Sequence, residues 1–257
     1  MEKARVNGLD IAYERLGGGP ALVLIHGYPL DRTTWHEVGS ALEKDFDLTI
    51  PDLRGLGQSD AADGTYTIAD LASDLAGLLD HLQIQKAFIA GHSMGGYVAL
   101  AFAGAYPGRL RGLGMISTQV AADSPERREG RYRSAAEVAA RGVGVVVEAM
   151  TPKFSADPHV QSFVRALMQR QRPAGLIGSL QAMAERPDSS QVLKAFKLPV
   201  VIVHGDADEL IPVERGREMK AAVPNAHYVE LPRVGHMPMM DNPRAVTEAL
   251  RFFLQPR

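Results

Sequence analysis

A short apolar run, Ala87-Phe88-Ile89-Ala90, leads straight into Gly91-His92-Ser93-Met94-Gly95-Gly96, and an apolar helix-like stretch follows at 97–102. This order, from buried strand to tight glycine turn to helix, constrains the chain more than any other feature. Small residues on both sides of such a turn let the two elements approach closely, and the serine at its apex must take a strained backbone conformation. Its hydroxyl then stands clear of the sheet beside the N-terminus of the next helix. Free backbone N–H groups there can receive a developing negative oxygen. The five-letter pattern alone recurs by chance; the flanking strand and helix are what argue against an inert serine.

Elsewhere short β-like runs alternate with helical ones, which predicts an α/β fold with a mostly parallel central sheet flanked by helices. Residues 11–16, the turn Gly17-Gly18-Gly19-Pro20 and residues 21–26 read as strand, turn, strand. Further strands are expected at 46–50, 112–117, 198–203 and 227–231. Residues 67–82 read as an amphipathic helix with Ile68, Leu71, Leu75 and Leu79 on one face. Pro243 opens a C-terminal helix. Residues 118–196 differ: they are rich in Arg, Ala and Gly, lack strand patterning, and are cut into short pieces by Pro125, Pro152, Pro158, Pro173 and Pro187. We read 118–197 as a helical insertion between two strands of a core made from 1–117 and 198–257.

At 257 residues the chain can bury a large core without staples. It has no cysteine, which excludes disulfides, thiolate metal sites and a cysteine nucleophile. Lys+Arg 28 against Asp+Glu 30 argues against a nucleic-acid footprint or a membrane surface as partner. No apolar run approaches the roughly 18 residues of a membrane span, and the charged N-terminus lacks a signal segment. A soluble, cytoplasmic protein is the expectation. No histidine pair has the spacing of a metal-binding H-E-x-x-H helix, so no metal is expected.

A serine hydroxyl needs a base, itself oriented by an acid, and the chain order associated with this turn is Ser, acid, His. Two downstream loops supply partners: His204-Gly205-Asp206-Ala207-Asp208-Glu209, and Val234-Gly235-His236-Met237-Pro238. Each follows a strand, so both should reach the edge of the sheet that carries Ser93.

Together with His26-Gly27-Tyr28-Pro29-Leu30 and Asp52-Leu53-Arg54-Gly55-Leu56-Gly57-Gln58-Ser59, these ordered motifs make the chain resemble the α/β-hydrolases of the small esterase, lactonase and cofactor-free haloperoxidase type. The resemblance covers nearly the whole chain, more loosely in the insertion. It implies that the acid is the third residue after Gly205, Asp208, with Asp206 a turn residue; a variant arrangement would use Asp123. It implies His236 as base, backbone N–H donors at Tyr28 and Met94 for the oxyanion, and no cofactor. The implied activity is hydrolysis of small, largely apolar carboxylic esters through an acyl-enzyme on Ser93. Rivals are a lactonase or carbon–carbon bond hydrolase with the same triad, a peracid-forming haloperoxidase, and a ligand sensor with a vestigial triad. Dehalogenases and epoxide hydrolases of this fold carry Asp in place of Ser93.

The insertion is expected to cap the site. Candidates for its pocket are Tyr28, Pro29, Met150, Met168, Met183 and Met237, because methionine adapts to varied apolar shapes; for any one methionine, core filling is the alternative. Pro29 restricts Tyr28 to extended conformations and stands where resembled perhydrolases often carry proline. His26, His92 and His204 are expected in structural roles, Trp35 in the core, and Asp52 and Arg54 in a polar network.

Overall fold

The computed structural model describes residues 1–61 and 64–255. Strand β1 (Glu2–Val6) pairs antiparallel with β2 (Leu9–Gly17), which in turn runs antiparallel to β4. Strand β1 was not among the strands expected from the sequence. Its residues, Glu-Lys-Ala-Arg-Val, turn only Ala4 and Val6 inward, so the strand reads as polar, as a half-covered edge strand does. The chain continues through β3 (Ala21–Ile25), α1 (His36–Leu42), β4 (Asp47–Pro51), α2 (Ile68–His81), β5 (Ala87–His92), α3 (Met94–Ala105) and β6 (Leu110–Ile116). After β6 come α4 (Pro125–Arg141), α5 (Gly144–Phe154), α6 (Pro158–Gln169), α7 (Pro173–Ala184) and α8 (Ser190–Ala195). The sheet resumes with β7 (Val200–Gly205), α9 (Glu214–Ala222), β8 (His227–Leu231), α10 (Pro238–Asp241) and α11 (Pro243–Arg251).

The eight strands lie in the order β1-β2-β4-β3-β5-β6-β7-β8, and every pairing from β4 to β8 is parallel. Strands covered by helices on both faces need apolar residues on both, which is why β5 and β7 are buried at every position. A capping box between Thr67 and Asp70 starts α2.

The inserted segment is helical, as its composition suggests, but its prolines act differently from expectation. Pro125, Pro158 and Pro173 sit in the first turns of α4, α6 and α7, where a missing N–H costs nothing. They start helices instead of breaking them, and α4 runs 17 residues. These helices rest on the loops at the C-terminal ends of the strands. Gln171 accepts from Gly57 N (3.0 Å), and Tyr66 bonds both Gly175 O and Ser179.

Candidate active site

The loops after β3, β5, β7 and β8 converge on one edge of the sheet, because parallel strands all end there. Ser93 follows β5 with φ 52° and ψ −116°, a conformation that residues with a side chain rarely adopt. The surroundings enforce it: Ser93 N donates to Ile116 O (2.9 Å), and Ser93 O accepts from Gly96 N (2.9 Å) and Thr118 Oγ1 (2.8 Å). A Cβ on Gly91 would lie 2.1 Å from Gly95 O, and one on Gly95 would lie 2.5 Å from Ile25 O. Only glycine lets the turn close against β3. Ser93 is half-buried between fully buried neighbours.

His236 and Asp208 meet at this edge, with Nδ1 to Oδ2 at 2.7 Å. Both are buried, His236 to 1% exposure. The other carboxylate oxygen of Asp208 accepts from Leu210 N and Ile211 N, each at 2.9 Å, and His204 Nε2 stands 3.5 Å from Oδ2. Burial alone would raise the Asp208 pKa. The His236 charge and the hydrogen bonds from His204, His236 and Ile211 outweigh it and hold the carboxyl well below the usual range. With Nδ1 engaged, Nε2 of His236 is the nitrogen left for chemistry.

Asp206 is exposed and accepts from Arg233 N (2.6 Å), as a turn residue does. Asp123 is enclosed by Arg127, Arg131 and Arg186 and makes no contact with His236. Burial pushes its pKa up, and the guanidinium groups of Arg131 and Arg186 bring it below the ordinary value.

His92 donates through Nε2 to the carbonyl oxygen of His236 (2.7 Å), and the two rings lie 4.8 Å apart. Complete burial drives its pKa well below 6.5, so it stays neutral while bracing the backbone of His236. His26 accepts from Leu53 N (2.9 Å) and joins the loops after β3 and β4. His204 donates to Ile211 O (2.8 Å) in the loop that carries Asp208. The polar network anticipated around Asp52 and Arg54 is two separate clusters: Arg32 joins Asp52 (2.7 Å) and Glu14 (2.9 Å), and Asp74 joins Arg54 (2.5 Å) and Asn7 (2.9 Å). Trp35 is fully buried in the core.

A clasp that sequence inspection missed fastens the His236 loop to the inserted helices. His236 N donates to Phe154 O (2.8 Å) at the end of α5. Asp241 accepts from Gly235 N (3.2 Å) and from Ser155 Oγ (2.5 Å), and Ser155 is held further by Asp157 N and Gln161. Burial raises the Asp241 pKa, with these hydrogen bonds opposing. Ser155 and Asp241 are 86 positions apart. No local pattern signals such a contact.

The N–H of Met94, the first residue of α3, has no intrahelical acceptor. That of Tyr28 donates to nothing among the described residues. A Cβ on Gly27 would lie 2.9 Å from that of Ser93, so the Tyr28 segment runs directly beside the serine. The Tyr28–Pro29 peptide is cis, and Leu30 N closes the turn onto Gly27 O (3.0 Å).

A cavity of about 430 Å³ opens between Tyr28 and the inserted helices, lined by Val146, Met150 and Leu180 with Arg133 and Glu137. The Tyr28 hydroxyl is buried without a partner, and burial pushes its pKa far upward. Of the pocket candidates, Tyr28 and Met150 line this cavity. Met168, Met183 and Met237 are packed in the main apolar core, and Pro29 is buried beside Tyr28. No group of three or more potential metal ligands converges among the described residues, and no helix there is long and apolar enough to cross a membrane.

A family model described as alpha/beta hydrolase fold matches residues 20–243. The solved structure of a thermophilic esterase from Thermogutta terrifontis superimposes with a TM-score of 0.94 at 37% identity, covering 98% of this chain and 97% of that one. The enol-lactonase from Burkholderia xenovorans LB400 does so with a TM-score of 0.91 at 28% identity, covering 98% and 99%. The dihydrolipoyllysine-residue acetyltransferase component of an acetoin cleaving system from Pseudomonas putida is 32% identical over 99% of this chain and 69% of that protein. With the sheet order and the glycine-bounded serine turn already in place, these matches establish that the chain is a hydrolase of the α/β-hydrolase family.

Proposed function

We propose that the protein is a serine esterase acting on small, largely apolar carboxylic esters. The reading rests above all on the buried 2.7 Å pair of His236 Nδ1 and Asp208 Oδ2, formed on the sheet edge that carries Ser93. In it, His236 Nε2 removes the Ser93 proton as Oγ attacks the ester carbonyl, while Asp208 fixes the imidazole tautomer and stabilises the imidazolium. The carbonyl oxygen, now negative, is received by the N–H groups of Met94 and Tyr28. His236 then protonates the leaving alcohol and activates water to release the acid. The helices of 118–197 act as the cap. The apolar lining around Tyr28 and Met150 supports an apolar acyl or alcohol group as substrate body.

A lactonase is the second reading, favoured by the 28%-identical enol-lactonase. A lactone is an ester whose alcohol stays tethered after acylation, so the same residues serve. An organophosphonate should add one mass increment to the peptide containing Ser93, and Ser93→Ala should lower turnover of p-nitrophenyl esters by several orders of magnitude. A folded Ser93→Ala protein with near-full activity would overturn the mechanism. Stoichiometric labelling without turnover on esters, lactones or diketones would instead mark a ligand sensor.

A further inference from the structure

A second cavity, also about 430 Å³, lies between α2, α3 and the two segments that join the inserted helices to the rest of the fold. One segment is Gln119-Val120, leaving β6; the other is the stretch 182–192, from the end of α7 into α8. None of Ser93, His236 and Tyr28 lines it. Its volume falls within the roughly 300–1,000 Å³ of small-molecule sites, and Ile68, Leu100, Ala101, Val120 and Val192 make most of its wall apolar.

Two polar side chains break that wall. Gln119 and Tyr97 are each 4% exposed and line the cavity, yet neither the Gln119 amide nor the Tyr97 hydroxyl makes a hydrogen bond among the described residues. Neither polar end is sealed from solvent, so a guest in the cavity can take the place of that solvent as their hydrogen-bond partner. The charged groups nearby are already engaged. Arg186 stacks on the Tyr97 ring (4.0 Å), pairs with Asp123 (2.8 Å) and donates to Met183 O and Ala121 O. Glu185 pairs with Arg128, and Asp188 accepts from Ser190 N. Among the described residues no free cation lines the space, and two carboxylates border it.

We propose that this crease is a second small-molecule site, taking an uncharged, largely apolar molecule with one carbonyl or hydroxyl group held by Gln119 and Tyr97. A guest there touches both connections between the sheet and the inserted helices. Its affinity is therefore coupled to the position of those helices, and the coupling is reciprocal.

The test is titration of the full-length protein with 2-nonanone, read by amide chemical shifts. Saturable shifts are expected at Tyr97, Gln119, Val120 and 185–192, with an affinity of roughly millimolar or tighter. Ala101→Phe and Val192→Phe fill the space from opposite walls, and each should abolish those shifts; if one variant fails to fold, the other decides. Removing both polar ends with Gln119→Leu and Tyr97→Phe should weaken binding about tenfold or more, the loss expected for two hydrogen bonds. Nonanoate should bind more weakly than the ketone. Shifts confined to the surroundings of Ser93 and Tyr28, or unchanged binding in the folded filler variants, would overturn the site. Unchanged affinity in the Gln119/Tyr97 variant, or equal affinity for nonanoate, would overturn the ligand class.

Discussion

Around Ser93 the main chain itself is packed to contact: a side chain at Gly91 or Gly95 would meet backbone oxygens at 2.1 or 2.5 Å. In α4 and α5 of the inserted helices the corresponding space is open, with nothing closer than 3.9 Å to a Cβ at Gly130 and nothing within 4 Å at Gly144, whereas α7 meets the loop after β4 main chain to main chain, a Cβ on Gly175 lying 1.8 Å from Gly55 O. The sheet edge is thus held by backbone shape. The inserted helices are held to the rest by the close approach of α7 and the Phe154 O–His236 N bond together with side chains, among them Tyr66 with Ser179 and Gln171 with Gly57 N. One region tolerates almost no change of residue size at its turn. Helices α4 and α5 of the other can change their lining while the sheet edge stays in place, which suits a family whose members include an esterase and an enol-lactonase.

The sharpest way to break this contrast is at Asp208. Asp208→Asn should lower kcat by roughly 10³–10⁴-fold through a misoriented or wrongly tautomerised His236, whereas the exposed Asp206→Asn should do far less. A larger loss at Asp206, in proteins of equal stability, would dismantle the assignment. Next comes stability, read by urea melts. Gly95→Ala forces a methyl onto main-chain oxygens and should cost about 3 kcal/mol or more. Gly130→Ala, in mid-α4 with free space around it, should gain about 0.5–1 kcal/mol. Similar values at both positions would remove the distinction between the two regions.

A smaller effect is expected at Pro29, where the edge shapes the loop that offers the Tyr28 N–H. Acetate or short esters with hydrogen peroxide should yield peracid without added metal. Pro29→Leu should lower the ratio of perhydrolysis to hydrolysis several-fold while reducing ester hydrolysis less, since shifts of about 1 Å can change rates on the order of 10²-fold. An unchanged ratio would leave the proline a loop-stiffening residue only.

The acid limb of stability completes the series. His26 and His92 have pKa values depressed below 6.5 by burial, so their contribution is full above that pH and is lost as pH falls through the folded values. Asp208, depressed from 3.8, loses its contribution only in a lower window. Replacing His92 by Gln should flatten the slope just below pH 6.5; an unaltered slope would show that His92 is not the group being charged.

Much of the sheet edge was legible because its signals are local. Strands β3, β5 and β7 are unbroken apolar runs, and the glycines around Ser93 are spaced by the turn they make. Strand β1 was not, because an edge strand with one covered face spends only Ala4 and Val6 on the core. The methionines could not be sorted either. Helix α7 is buried on nearly every side, so spacing does not tell whether Met183 faces a cavity or the core. Gln119 and the Asp241–Ser155 bond depend on segments brought together only by the fold.

The hydrogen bonds from His236 N to Phe154 O and from Ser155 to Asp241 also bear on how such proteins can be recombined. A chimaera joined at residues 117 and 198 would look clean in the sequence. It would nonetheless discard the carbonyl and the hydroxyl that hold the histidine loop. Helices transplanted from a relative must bring their own equivalents of Phe154 and Ser155, or the recipient receives a new lining over a loosened His236 loop.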